Sequence, residues 1–322
     1  MESSAGGIVA EPTRLRRPLM ASRNLWWILL VVGTAIWLFA AVITGVTRDT
    51  VLVPTVIILG SFLVPVSMAV FALTRSREGH LTPEALIVGF VVGGTLGLVF
   101  AALTEVYFLP DEHATFLTVG FIEEAAKGLV LVAVGYRIRP RGLRDGMALG
   151  ATVGAGFAAF ESAGYALRTF VRHVGDHEVI DVVETETFRA VLSPFGHITW
   201  TALLGGALFA ASRSGAFRIT ARVLWTFVGI VVLHAAWDAS HGWSLVITEA
   251  LVGDGWQWNW PNTEDWIGTP TDKELLAQTI VYDLLLTVNA IIGVTWVVHM
   301  WRSAPAGTAS PRSNDETRAA RP

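Results

Sequence analysis

The sequence has no cysteine. That excludes a disulfide framework, a thiolate nucleophile and any metal site built on thiolates, and it leaves the redox compartment open. Lysine is almost as scarce: Lys127 and Lys273 are the only two among 23 basic residues, an arginine bias of the kind a GC-rich bacterial genome produces through codon choice. Charged residues make up 16% of the chain against 52% hydrophobic ones, and the mean hydropathy is +0.53. A chain of 322 residues so composed carries more apolar surface than a soluble fold buries, so lipid is the solvent it suits. The basic residues sit in short clusters between apolar runs and form no face that could track phosphates, which argues against nucleic acid as a partner.

What is present is a series of apolar runs. A bilayer core needs about 20 apolar residues per helix, and runs of that kind fall near 25-46, 51-73, 84-106, 114-136, 143-169, 194-212, 219-240 and 277-300. The expected fold class is therefore an all-α polytopic membrane protein of about eight transmembrane helices. The basic residues then divide 17 to 5 between alternating loops when both termini are placed in the cytoplasm. Arg14, Arg16, Arg17 and Arg23 precede the first run, which lacks a small-residue cleavage site and is read as a retained helix. Residues 1-22 and 303-322, rich in Pro, Ser, Ala and Arg, are read as disordered cytoplasmic tails around a helical domain at 23-302.

Two outer segments carry more than turn chemistry. Residues 170-193 mix acidic groups and His173 and His177 with Ile180, Val183, Phe188 and Val191, the pattern of a short amphipathic helix at the outer interface. Residues 241-276 hold Trp243, Trp256, Trp258, Trp260 and Trp266 and read as an aromatic interfacial loop. Small residues at four-residue spacing, Gly89, Gly93 and Gly97 and then Gly150 and Gly154, predict close helix packing.

An ionisable group at the centre of a bilayer costs at least about 2.5 to 3.5 kcal/mol on insertion scales, so each one inside a span needs a partner and usually a purpose. Span four holds Glu123, Glu124 and Lys127; the i,i+4 spacing pairs Glu123 with Lys127 and leaves Glu124, turned about 100° away, free for chemistry. Span five holds Glu161 with Tyr165 one turn on, and span six opens with His197. Span seven places His234 and Asp238 on one face, suited to orienting an imidazole, binding a metal or stabilising an oxyanion. Counted at about 1.5 Å per residue, these groups converge on the outer half of the bilayer. Glu105, Asp283, Asn289 and His299 are read as groups satisfied locally.

Four motifs, Glu-Glu-x-x-Lys at Glu123 to Lys127, Phe-x-x-x-Glu at Phe157 to Glu161, His197, and His-x-x-x-Asp at His234 to Asp238, occur in order on four separate spans. Together they resemble the PrsW family of intramembrane proteases, related to the CAAX prenyl endopeptidases and the bacterial membrane proteins grouped with them. The resemblance covers about 114-240, the expected protease core. It implies peptide-bond hydrolysis of membrane-anchored proteins of the anti-sigma-factor kind near the outer face of the bacterial cytoplasmic membrane. The resemblance implies that the Glu pair activates water and that His234 and Asp238 support the oxyanion; within it Glu124 is assigned as the base and Glu123 as the partner of Lys127, or the reverse, with Glu161 positioning the water and His197, His234 and Asp238 polarising the carbonyl or its oxyanion. In the prenyl endopeptidases the second motif ends in His where this chain has Glu161.

No cofactor is expected on this reading. Zinc is the alternative, with His197, His234, Asp238 and Glu124 as the donor set, although His-Glu-x-x-His is absent. A proton-coupled transporter would use the same residue types as a relay, yet the two halves show no internal repeat. A noncatalytic scaffold that presents peptides would tolerate Glu124→Gln.

Overall fold

A computed structural model of the protein describes residues 24–75, 81–108, 116–139, 141–172, 178–213, 215–253 and 269–304. Within them the chain is helical, with no strand beyond an isolated bridge between Arg213 and Ala216. The helices are α1 (Leu25–Thr47), α2 (Val53–Arg75), α3 (Pro83–Val92), α4 (Leu98–Phe108), α5 (Phe116–Gly135), α6 (Leu143–Arg172), α7 (Glu178–Leu192), α8 (His197–Ala211), α9 (Ala221–Asp238), α10 (Ser240–Val252) and α11 (Asp272–Arg302). Local chemistry sets several starts: Thr82 caps α3 ahead of Pro83, Thr220 caps α9, and Thr271 and Glu274 form a capping box on α11.

Five helical stretches are long and apolar enough to cross a bilayer: Leu25–Thr47, Thr50–Arg75, Pro83–Tyr107, Ala221–Asp238 and Asp272–Arg302. The other three expected spans correspond to α5, α6 and α8. Three charged residues fall within five positions of α5, α6 carries Arg144 and Asp145 at its start and Arg168 and Arg172 at its end, and α8 is only 15 residues long. These are the helices buried among the others, where neighbouring protein rather than lipid covers their polar groups.

α6 is the axis of the bundle. At 30 residues it is about 45 Å long, and it packs on α2, α3, α7 and most extensively on α8. The α6–α8 approach depends on glycine: a Cβ at Gly150 would meet the Thr201 carbonyl, and one at Gly154 the His197 carbonyl. The other glycine stripe also serves packing, because a Cβ at Gly93 would lie 2.7 Å from the Val153 carbonyl of α6. Between α3 and α4 the chain makes a π turn, Gly93–Gly97, which the hydropathy pattern does not announce.

The amphipathic helix expected near 170-193 is α7. It docks on α2 and α6 as well as α1 rather than lying free at an interface. The segment read as an outer loop from 241 departs from expectation, since α10 continues the helical path to Val252 and packs on α11. Its alternation of Ser240, Gly242, Ser244, Leu245 and Thr248 on a buried face is a helical period within a Trp-rich stretch. Trp256, Trp258, Trp260 and Trp266, His173 and His177, and the expected tails up to residue 22 and from 305 lie outside the described residues.

Candidate active site

α5, α6, α8 and α9 bring all seven predicted residues into one polar centre. Gly120 on α5 allows α9 close, since a Cβ there would stand 3.3 Å from the His234 Cβ. One turn further along α5 the carboxylates and Lys127 face the same neighbours. Lys127 Nζ is fully buried and donates to Glu124 Oε1 at 2.7 Å and to Glu123 Oε2 at 3.2 Å. It also lies 2.8 Å from His197 Nδ1 and 4.0 Å from the centre of the Phe157 ring. The lysine therefore bridges both carboxylates. Glu124 is not the free carboxylate that i,i+4 spacing suggested, because the three protons of an ammonium can serve three acceptors and the i,i+3 partner is in reach.

These contacts fix the ring of His197. An ammonium has no lone pair, so Nδ1 of His197 is the acceptor and its proton sits on Nε2, which donates to Glu161 Oε2 at 3.1 Å. His234 is oriented in the same manner: Nδ1–H donates to Glu124 Oε1 at 2.9 Å. Its Nε2 faces Asp238 Oδ2 at 3.3 Å and Glu123 Oε2 at 3.7 Å, and the ring stacks on Trp200 with centroids 4.7 Å apart. His197 thus has a carboxylate on Nε2 and Lys127 on Nδ1, whereas His234 has Glu124 on Nδ1 and turns Nε2 toward Asp238 and Glu123.

Sequence reading missed one member. Arg189 of α7 donates from Nη2 to Glu161 Oε2 at 2.6 Å and from Nε to Ser162 Oγ at 2.9 Å, and it stacks over Tyr165. Its signal was available: Arg189 lies three residues after Glu186 on an amphipathic helix, so the two address the same side. Glu186 is buried, accepting from Trp37 Nε1 and Ser61 Oγ, both at 3.0 Å, and burial pushes its carboxyl up to about 7. Glu105 of α4 also differs from expectation, since its Oε1 is buried with no partner among the described residues and it lies in electrostatic range of Glu123, Glu161, His234 and Asp238. Asn289 donates to the Leu233 carbonyl at 2.8 Å, as a locally satisfied group should.

The centre is graded from closed to open. Side-chain exposure is 0% at Glu124 and Lys127, 11% at Glu123, 13% at His197, 17% at Glu161 and 29% at Asp238. Access is therefore from the Glu161, Arg189 and Asp238 side. At the closed end Glu124 Oε2 is buried with no hydrogen-bond partner among the described residues. An orphaned carboxylate oxygen of that kind calls for a water, a proton or an ion.

Among the described residues, donor atoms of Glu123, His197 and His234 lie within 4.8 Å of one another. Two imidazoles and a carboxylate are the donor set of a catalytic zinc site, and the carboxylates of Glu161 and Glu124 on the far nitrogens supply the outer partners such ligands need. Four carboxylates here face only two obligate cations, Lys127 and Arg189, a balance that favours a further positive charge. The residues fit a divalent metal, with Glu123 where the sequence suggested Glu124 and Asp238. Lys127 Nζ touches two of the same donors and would compete for them.

A helical protein with bilayer-length spans, closed around a buried carboxylate and histidine centre that opens on one side, defines the class of membrane-embedded proteins built for chemistry inside the bilayer. The model of a family described as PrsW family intramembrane metalloprotease matches residues 33–253. This chain belongs to that family, which makes it a membrane protein of a peptidase class with a protein as substrate. Comparison with curated proteins and with solved structures gives no match.

Proposed function

We propose that the protein is an intramembrane endopeptidase of the bacterial cytoplasmic membrane that crosses the bilayer about eight times with both termini inside. It cleaves membrane-anchored proteins, of the single-span anti-sigma-factor kind, near the outer face by means of a carboxylate-activated water. The observation that carries this reading is the unpartnered Glu124 Oε2, held against Lys127 and His234 through its other oxygen. That oxygen takes a proton from water as the water oxygen attacks the peptide carbonyl carbon. It then passes the proton to the amide nitrogen as the C–N bond breaks. Lys127 and His234, which both hold Glu124 Oε1, take the polarising role, Lys127 exchanging one of its present acceptors for the carbonyl oxygen as that oxygen gains charge. Glu161, held by Arg189, keeps His197 in its Nε2–H tautomer. Glu123, His197 and His234 would hold a divalent metal, whose chemistry there would be Lewis-acid polarisation of the carbonyl and of water. The arginine-rich loops and the convergence of the polar residues on the outer half of the spans support the orientation.

The test is cleavage of a purified single-span reporter by protein reconstituted in vesicles, with the metal content measured and with and without a chelator. Wild-type protein should cleave near the outer end of the reporter span, and Glu124→Gln should be at least about 100-fold slower. Equal cleavage by Glu124→Gln would refute its role as the base. Activity that survives complete metal removal would assign the polarising role to Lys127 and the histidines alone.

A further inference from the structure

A second cavity, away from the polar centre, has a composition that the reaction does not use. A cleft of about 530 Å³ lies among α2, α6, α8 and α11. Three arginines line it: Arg75 is the last residue of α2, Arg302 the last of α11 and Arg144 the second of α6. Because α6 runs opposite to α2 and α11, all three lie at the same end. Arg144 Nε is buried without a hydrogen-bond partner among the described residues, and its guanidinium sits over the Trp301 ring at 5.2 Å. Among the described residues no carboxylate pairs with Arg75, Arg144 or Arg302.

Away from that end the lining is Met68, Ala151, Ile198 and similar apolar groups. The one hydroxyl there, Thr199 Oγ1, is already committed to the Pro194 carbonyl at 2.7 Å. A peptide laid in the cleft would leave its amides unsatisfied, whereas a hydrocarbon chain needs no partners. Guanidinium groups at the end of an apolar cleft between membrane helices suit a phosphate with an acyl chain attached.

We propose that this cleft binds one anionic phospholipid, its phosphate among Arg75, Arg144 and Arg302 and one acyl chain along Met68, Ala151 and Ile198. The chain end would reach Ile198, next to His197, so the lipid would brace the start of the helix that delivers that imidazole. The inference stands whether or not the centre cleaves peptides.

The experiment uses full-length protein in nanodiscs of phosphatidylcholine with graded phosphatidylglycerol, with bound lipid counted by native mass spectrometry and thermal unfolding followed in parallel. One phosphatidylglycerol per chain should be retained at least tenfold more tightly than phosphatidylcholine, and it should raise the unfolding temperature of the wild-type protein. The Arg75→Gln, Arg144→Gln, Arg302→Gln triple variant should lose that preference. Ala151→Phe, which fills the cleft and leaves the charges intact, should weaken retention as well. Equal binding of the two lipids by wild-type protein would overturn the proposal, as would undiminished binding by Ala151→Phe or full competition by glycerol phosphate, which has the anion without the chain.

Discussion

α1 and α6 show the two kinds of helix this protein is made from. α1 is apolar on every side, and of its 23 residues only Trp37, Ala41 and Thr44 are buried. α6 is longer, more polar and buried along most of its length by other helices. Hydropathy detects the first kind because lipid is that helix's neighbour. The second kind is specified by glycine contacts and by charge partners, and together with α5, α8 and α9 it holds the polar centre. Substitutions should therefore have graded effects, large in the interior helices and small in the lipid-facing ones.

The largest effect is expected at Lys127. Lys127→Met leaves Glu124 and Glu123 buried without their cation, which should lower unfolding free energy by about 3 to 5 kcal/mol in detergent and abolish cleavage. Next is the α6–α8 contact. Gly154→Val drives a side chain into the His197 carbonyl and should cost about 1 to 3 kcal/mol. A displacement of about 1 Å at His197 would by itself slow turnover about 100-fold. Arg189→Gln should reduce kcat/KM by about 10- to 100-fold while changing stability by no more than about 1 kcal/mol, because its pair with Glu161 is partly exposed. Here the pH profile of kcat separates a positioning role from a structural one, since Glu161 without Arg189 is no longer held against the Nε2–H of His197.

Glu186 gives a smaller effect with a defined sign. Its folded pKa of about 7 lies above the ordinary glutamate value of 4.5, so its contribution to α7 docking is fully present below about pH 4.5 and is lost as pH rises through about 7. Stability measured from pH 5 to 8 should fall across that window in wild-type protein and stay flat in Glu186→Gln. The smallest effect is expected on α1, where Phe39, 68% exposed toward the lipid side, should accept Leu within about 0.5 kcal/mol. A large loss there would break the contrast between the two kinds of helix.

Much of the site was legible because charge inside an apolar run is costly enough to be informative. Glu123, Glu124, Lys127, Glu161, His197, His234 and Asp238 stand out by that rule together with their order on four successive spans, and the structure brings them together. The pairing among them was less legible. A helical wheel favours Glu123 for Lys127, but a long flexible side chain also reaches Glu124, and His197 arrives from a helix 70 residues away. Arg189 escaped because it sits in a segment rich in ordinary interfacial charge, where its burial against Glu161 depends on how α7 docks. α10 escaped because tryptophan and glycine masked a helical period of small residues, and the π turn at Gly93–Gly97 because backbone hydrogen-bond register leaves no composition signal.

The most direct test of a hydrolytic carboxylate pair is a proteome-wide map of new N-termini in membranes from cells carrying wild-type protein or the Glu123→Gln, Glu124→Gln double variant at equal, folded abundance. Termini near the outer end of single-span membrane proteins should be present with the wild-type protein and disappear in the variant. Identical termini in the two strains would contradict a hydrolytic role for the pair.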